Sequence, residues 1–249
     1  MDKRALEYSR LRKSPVLWCI KKFIGDYPLF HSTCDEETGY IRDTFGSEAR
    51  IVQVPNFIEL PREVERSAEN YLLFLGRLHW KKGIKNLIQA LAGTEEFRQS
   101  DHVLKIAGKG LPAYEQELRD LVASLEMGDK IDFVGQVEGE EKQHLLANAS
   151  WTIMPSHTEN FGMVVLESLA QNTPVIASKG SPWASLETAH LGFWVDNSSQ
   201  ALSEVIKKIL AMTPSEYESY RTGGRDFVEK NFDVRQNIGK WAEIYRSLE

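Results

Sequence analysis

From residue 71 onward, short runs of apolar and β-branched residues alternate with segments in which apolar residues recur at helical spacing. This alternation is typical of a parallel sheet with helices on both of its faces. The pattern predicts strands at 71–75, 103–107, 131–134, 152–155, 175–178 and 192–195. It predicts helices at 84–91, 113–125, 140–147, 162–170 and 200–210. The expected fold class is therefore α/β, with one Rossmann-like unit.

Residues 1–60 carry a shorter version of this pattern. The run LFHST predicts a strand, CDEETGYIRDTF a helix, and RIVQVPNFIEL a second strand that leads into a linker. We interpret this part as an incomplete second α/β unit. The chain after residue 215 predicts further helices, with a bend at Gly223 and Gly224. The expected divisions are residues 1–60, a Rossmann-like domain at 61–230 and a C-terminal helix at 231–249.

The composition is that of an ordinary globular protein: 249 residues, of which 42% are hydrophobic and 27% are charged. The formal net charge of -6 argues against general nucleic-acid binding, which uses a basic surface. No apolar run is long enough to cross a membrane, and the opening MDKRALEYSRLRK lacks the apolar core of a secretory signal. Cys19 and Cys34 are isolated from each other, which favours reduced thiols in the cytoplasm.

The first 25 residues reverse the sign of the net charge. Two acidic residues oppose the basic residues Lys3, Arg4, Arg10, Arg12, Lys13, Lys21 and Lys22. Leu17, Trp18 and Ile20 lie among them, so the segment fits an anionic membrane surface. A solvated helix, or an arm that packs on another surface, explains the same residues.

The segment SHTENFGMVVLESLAQNTPVIAS places Glu159 and Glu167 eight positions apart around the start of a predicted helix. We expect this helix to begin at 160–162, where Asn160 is a good N-cap and a glycine allows close approach. Its first amides favour phosphate, so the candidate donors to a diphosphate are those of Phe161, Gly162, Met163 and Val164. Glu167 follows about two turns later, roughly 12 Å along the axis, which matches the span of a nucleotide sugar. Acidic residues on an exposed helix also occur without any ligand.

The loop in GRLHWKKG carries two cations between a strand that ends at Gly76 and a helix that begins near Gly83. Arg77 offers a bidentate fork and Lys82 a compact charge, and a loop at the carboxyl end of a parallel strand faces the ligand crevice. Both suit a phosphate that becomes a leaving group. Two solvated loop cations are the alternative. The sequence has neither a cluster of carboxylates nor a pair of His residues at metal-binding spacing, so it predicts no metal site.

The glutamate segment resembles the E-x7-E motif of retaining glycosyltransferases with the GT-B fold, called group 1 or family 4. Four more segments match in the same order: VPNFIELP at 54–61, FLGRLHWKKGIKNLIQAL at 74–91, LKIAGKG at 104–110 and IDFVGQV at 131–137. The resemblance covers about residues 20–249. One departure is Phe57, where the family often has glycine or another small residue in the linker.

The resemblance implies a role for each matched position. Glu159 would bind sugar hydroxyls and Glu167 ribose hydroxyls, while Arg77, Lys82 and the helix amides near Gly162 would bind the diphosphate. Gly76 and Gly108 would border the nucleotide, and backbone groups near Val134 would contact the edge of the base. A turn that glycine makes easy at Gly108, and a plain strand end at Val134, explain the same residues. No metal or other cofactor is expected.

The implied function is transfer of a hexosyl unit from a nucleoside-diphosphate sugar to a growing polysaccharide, lipopolysaccharide or lipid-linked acceptor, with retention of configuration. A cytoplasmic protein, with or without peripheral contact to the inner membrane face, would suit such acceptors. Residues 1–60 cover little of the first domain expected for this family. The alternative is therefore an inactive nucleotide-sugar-binding module or half of a split enzyme, completed by a partner chain or a second copy. A nucleotide-sugar epimerase fits the motifs less well.

Overall fold

The structure is a computed structural model, and it describes residues 15, 16, 18–20, 22, 23, 28–67 and 69–247. Most of the basic segment at 1–25 therefore lies outside the described residues. From residue 28 the chain forms a small unit in which strands β1 (Leu29–Ser32) and β2 (Arg50–Gln53) pair in parallel. Helix α1 (Asp35–Phe45) connects them.

The main sheet has six parallel strands and confirms the predicted α/β fold. They are β3 (Tyr71–Leu75), β4 (Val103–Ala107), β5 (Ile131–Gly135), β6 (Trp151–Met154), β7 (Val175–Ser178) and β8 (Gly192–Val195). Their order is β5-β4-β3-β6-β7-β8, and every neighbouring pair is parallel. The predicted strand at 152–155 lies one residue earlier in the structure, at Trp151–Met154.

Helices cover both faces of this sheet, as predicted. Those of the main domain are α2 (Ile84–Ala92), α3 (Glu95–Gln99), α4 (Pro112–Ser124), α5 (Gly139–Asn148), α6 (Met163–Leu169), α7 (Ser185–Thr188), α8 (Ser199–Leu210), α9 (Pro214–Arg221) and α10 (Gly224–Phe232). Two short helices, α11 (Val234–Asn237) and α12 (Gly239–Arg246), form the segment expected as a C-terminal helix. None of the helices among the described residues could span a bilayer.

The run YLLFL in β3 is apolar throughout because both faces of the strand are covered. Alternate side chains point to opposite faces. Leu72 and Phe74 pack in a cluster with residues of α2, α4 and α8. Tyr71 and Leu73 pack on the other face, with Leu146 of α5. Burial on two sides fixes the orientation of β3. It therefore also fixes where the loop that follows the carboxyl end of β3 begins.

The strand order reverses between β3 and β6, which are neighbours in space although β4 and β5 separate them in the chain. At such a switch point, the loops that leave the carboxyl ends of the two strands diverge and open a crevice for ligands. Here those loops are residues 76–83 and 155–162.

The end of the described chain returns to its beginning. The Ile58 amide donates to the carbonyl of Phe232 at 2.9 Å, and the Val234 amide donates to the carbonyl of Ile58 at 2.9 Å. The ring of Trp241 on α12 lies 4.7 Å from that of His31 on β1. The linker and the last helices thus connect the small unit to the six-stranded domain.

Candidate functional site

The two loops of the switch point are joined through their backbones. The His157 amide donates to the carbonyl of Lys81 at 2.8 Å. Gly83 has φ 65°, and a Cβ at this position would lie 2.0 Å from the carbonyl oxygen of Pro155. Only glycine therefore permits this approach of the backbones. The contact fixes the position of one loop relative to the other.

This contact brings together two of the predicted site residues. The Nζ of Lys82 forms an ion pair with Oε2 of Glu159, and the two side chains are 25% and 17% exposed. The hydroxyl of Ser156 lies 3.5 Å from the same carboxylate oxygen. Water screens a pair with this burial less than it screens a surface pair. The carboxylate of Glu159 thus has a fixed partner at the mouth of the crevice.

The loop after β7 contacts the segment from Glu159 to Gly162 and fixes its position. The Glu159 amide donates to the carbonyl of Gly180 at 2.8 Å, and the Trp183 indole donates to the carbonyl of Phe161. The side chain of Phe161 is buried against Trp183. Its ring therefore belongs to the core and its carbonyl is bonded to Trp183, so its amide is the group that remains available to a ligand.

Helix α6 begins at Met163, with Gly162 as its N-cap at φ 81°, close to the predicted start. Within the described part of the chain, no backbone or side-chain acceptor is paired with the amides of Phe161, Gly162, Met163 or Val164. These amides stand at the positive end of the helix. The side chain of Asn160 does not cap the helix.

Asn160 instead reaches the small N-terminal unit. Its amide donates to Oε1 of Glu37 at 3.2 Å, and the Cys34 thiol lies 3.7 Å from its carbonyl oxygen. Burial raises the pKa of Cys34. The residue next to Glu159 is thus in contact with the start of α1.

Glu167 lies on α6 and also has a lysine partner. The Nζ of Lys142, on α5, is 3.0 Å from Oε1 of Glu167. The sequence motifs do not include Lys142, and nothing in the spacing between residues 142 and 167 indicates a contact. Both glutamates of the predicted pair are therefore ion-paired with lysines from other elements.

The carboxyl ends of β3, β4 and β5 form a second part of the crevice. A Cβ on Gly108 would lie 1.9 Å from the carbonyl oxygen of Gly76, so these turns pack without side chains between them. A cleft of about 400 Å³ opens here, lined by Leu75, Gly76, Arg77, Gly108, Lys109, Gln136 and Val137. Arg77 is exposed and forms no ion pair with a described carboxylate. Val134 is exposed on β5 and lies outside this lining.

The loop after β3 carries three positively charged side chains, those of Arg77, Lys81 and Lys82. Burial, followed by the charges of Arg77, Lys81 and Lys82, lowers the pKa of His79. The ring of His79 accepts a hydrogen bond at Nδ1 from the Lys81 amide at 3.2 Å. Among the described residues, no group of three or more His, Cys, Asp or Glu side chains could hold a metal ion. The arrangement is suited to an anion with hydroxyl groups on both sides of it.

The chain is similar in sequence to known proteins. The chain is 30% identical over 189 residues to the GDP-mannose-dependent alpha-(1-6)-phosphatidylinositol dimannoside mannosyltransferase of Mycobacterium tuberculosis, with 70% of this chain and 48% of that enzyme covered. The chain spans between 26% and 48% of the length of the first curated relatives it matches.

Solved structures resemble the chain over most of its length. The sucrose-phosphate synthase of Thermosynechococcus elongatus has a TM-score of 0.79 at 25% identity, covering 94% of this chain and 62% of the synthase. Anabaena HepE, solved in complex with UDP and glucose, has a TM-score of 0.78 at 17% identity, covering 96% of this chain and 67% of HepE. The HepE likeness is one of fold alone.

The family match covers the linker, the whole six-stranded sheet and both switch-point loops. Residues 57–227, more than half of the chain, match the family described as glycosyl transferases group 1. This span contains the Lys82–Glu159 and Lys142–Glu167 pairs. The chain therefore belongs to the group 1 glycosyl transferases and has the Rossmann-like domain of the GT-B fold.

Proposed function

We propose that this chain binds a nucleoside-diphosphate sugar and transfers its hexosyl unit, with retention of configuration, to a glycan or a lipid-linked acceptor. The observation that carries the proposal is the ion pair between Lys82 and Glu159 at the switch point of the sheet. A cation for phosphate and a carboxylate for sugar hydroxyls stand side by side there. Glu167 lies farther along α6, where the ribose would extend.

In the proposed mechanism, the main barrier is the charge that develops as the sugar separates from the diphosphate. The transition state resembles an oxocarbenium ion, so stabilising the leaving group lowers the barrier most. Arg77 and Lys82 supply positive charge to that group, and the amides of Met163 and Val164 donate to its oxygens. The proposal assigns this task to side chains and amides, without a metal or other cofactor.

Glu159 has a separate task in the proposal. Its Oε2 is paired with Lys82, and its amide is fixed on Gly180, so the carboxylate is held without its ligand. A carboxylate held in this way accepts hydrogen bonds from two adjacent sugar hydroxyls. It also lies beside the anomeric carbon, where a negative charge stabilises the developing positive charge.

Two relatives support the choice of donor and acceptor. HepE has been solved with UDP-glucose, and the mannosyltransferase is named for GDP-mannose and a phosphatidylinositol dimannoside. These two donors differ in their bases. The proposed ligand is therefore defined only as a nucleoside diphosphate, and the titrations below identify which base binds. A lipid-linked acceptor fits the phosphatidylinositol dimannoside in the name of the mannosyltransferase.

A second candidate is a donor-binding module that lacks its own acceptor site. Another polypeptide or a second copy of the chain would supply that site, with or without contact to a membrane surface. The favouring observation is the exposure of large apolar side chains near the start of the described chain, at Val16, Trp18 and Phe23. In particular, Phe23 is 81% exposed. Leu17 lies outside the described residues. The two candidates share the donor site and differ in what completes it.

The test begins with calorimetric titration of the 249-residue chain with UDP, GDP and ADP. The proposal expects one of them to bind, and its sugar conjugate to bind at the same site in competition. Failure of all three to bind would refute both candidates. Transfer to a glycan or lipid-linked acceptor by the purified chain would favour the enzyme. Donor binding with transfer only after a partner is added would favour the module.

A further inference from the structure

Lys142 contacts one of the two predicted glutamates although no motif includes it. It lies on α5, 25 positions before Glu167, and its Nζ is 3.0 Å from Oε1 of that residue. The two side chains are 27% and 26% exposed. By comparison, Lys207 and Glu96 are 49% and 51% exposed and 3.8 Å apart. The pair on α5 and α6 is shorter and better buried than that surface pair, so solvent screens it less.

The helices that carry Lys142 and Glu167 are fixed to each other independently of the ion pair. Leu145 of α5 and Val164 of α6 pack against the same apolar cluster. Gln171, just after α6, donates to Oε1 of Gln143 at 2.8 Å. These contacts restrain the two helices relative to each other, so the position of Lys142 beside Glu167 does not depend on the ion pair alone.

The geometry leaves part of the carboxylate available to a ligand. Lys142 occupies Oε1, and no described residue donates a hydrogen bond to Oε2. A vicinal diol donates two hydrogen bonds to one carboxylate, which requires a defined plane for the carboxylate. A glutamate without a partner loses rotamer freedom when a ligand fixes it. A glutamate that Lys142 already holds loses less.

We propose that Lys142 is a positioning residue of the donor site, which orients Glu167 toward a ribose diol and thereby makes binding selective for ribonucleotides over deoxyribonucleotides. This inference rests on the proposed function, since it presumes that a nucleoside diphosphate occupies the crevice. Lys142 acts through Glu167 and need not touch the ligand. Its positive charge also offsets the negative charge of Glu167, which would otherwise repel a diphosphate.

The test compares a ribonucleotide with analogues that lack the hydroxyls. Wild-type protein and Lys142→Gln are titrated with the best-binding nucleoside diphosphate and with its 2′-deoxy and 2′,3′-dideoxy forms. Lys142→Gln should weaken ribonucleotide binding about three- to tenfold and change dideoxynucleotide binding less than about twofold. Lys142→Arg should restore most of the discrimination, because the cation is retained. The double variant Lys142→Gln/Glu167→Gln should lose less ribonucleotide affinity than the product of the fold-losses of the two single variants, because both act through the same contact.

Lys207→Gln is the matched control, since it removes a lysine from another Lys–Glu pair on a different helix. It should leave all three affinities unchanged. Equal weakening of the ribonucleotide and the dideoxynucleotide by Lys142→Gln would overturn the inference, because a general loss of charge or structure would then explain it. Unchanged binding of both would overturn it as well. If the wild-type protein binds no nucleotide, the proposed function fails and this inference with it.

Discussion

The ammonium of Lys82 contacts the carboxylate of Glu159 although the two residues are 77 positions apart. The contact exists because β6 joins the sheet beside β3, and because the loops after these strands share a backbone hydrogen bond. Each residue restrains the other before any ligand binds. A substitution at either position therefore changes both partners.

Lys82→Ala should lower affinity for a nucleoside diphosphate at least tenfold. The change removes a charge-assisted contact worth about 1.5 to 3 kcal/mol and leaves the carboxylate of Glu159 without its counter-charge near the phosphates. Calorimetric titration measures the effect, with Lys207→Ala as the control. Affinity equal to that of wild type for every nucleotide that binds would remove Lys82 from the site.

The two glutamates should differ in which ligand they affect. Glu167→Gln should weaken the binding of both free nucleotide and nucleotide sugar, because both ligands contain the ribose. Glu159→Gln should weaken the nucleotide sugar more than the free nucleotide, because only the former carries the sugar hydroxyls. The same titrations with UDP and UDP-glucose, or the corresponding GDP or ADP pair, distinguish the two roles. An equal loss of free nucleotide in both mutants would show that the assignment of Glu159 is wrong.

Gly83→Ala should damage both stability and binding. Alanine at φ 65° is strained by about 1 to 2 kcal/mol, and its Cβ would overlap the carbonyl oxygen of Pro155. We expect the melting temperature to fall by about 2 to 4 °C for each kcal/mol. Nucleotide affinity should fall as well, because the loops must separate. Gly128→Ala, whose Cβ would have no neighbour within 4 Å, is the control. A Gly83→Ala protein with wild-type stability would contradict the close approach.

Stability should decline in mild acid in part through His102. Burial, followed by the charge of Lys130, lowers the pKa of His102 in the folded protein. The unfolded chain therefore binds more protons at this residue. The stabilisation is complete above the unfolded pKa of about 6.5 and is lost as the pH falls toward the folded pKa. Urea midpoints at about pH 7.5 and about pH 5.5 should differ less in His102→Gln than in wild type. The same difference in both proteins would mean that His102 does not contribute.

Strands such as β3 and β7 could be predicted from the sequence because they are buried along their length and consist mostly of apolar residues. The run YLLFL and the segment VIAS are examples, and their bounds in the structure are those predicted. The strand order could not be predicted in this way, since the same runs are compatible with several orders. The start of α6 could be placed because Gly162 marks it.

The side-chain partners within the site could not be predicted from sequence patterns. Lys142 meets Glu167 only because α5 and α6 pack side by side, and Asn160 meets Glu37 only because the linker returns α1 to the crevice. Such contacts depend on the relative placement of whole elements, which local spacing does not encode. The roles assigned to the individual site residues remain predictions, and the titrations above test them.

The pairing of β3 with β6 also determines when, during synthesis on the ribosome, the crevice comes into being. Lys82 is made before Glu159, with 77 positions between them. At about 5 to 20 residues per second, this distance corresponds to roughly 4 to 15 s. In that interval the loop after β3 has neither its carboxylate nor its backbone partner. The Lys82–Glu159 pair is therefore a feature of the completed domain, and a nucleotide that depends on this pair would stabilise the domain only after β6 has joined the sheet.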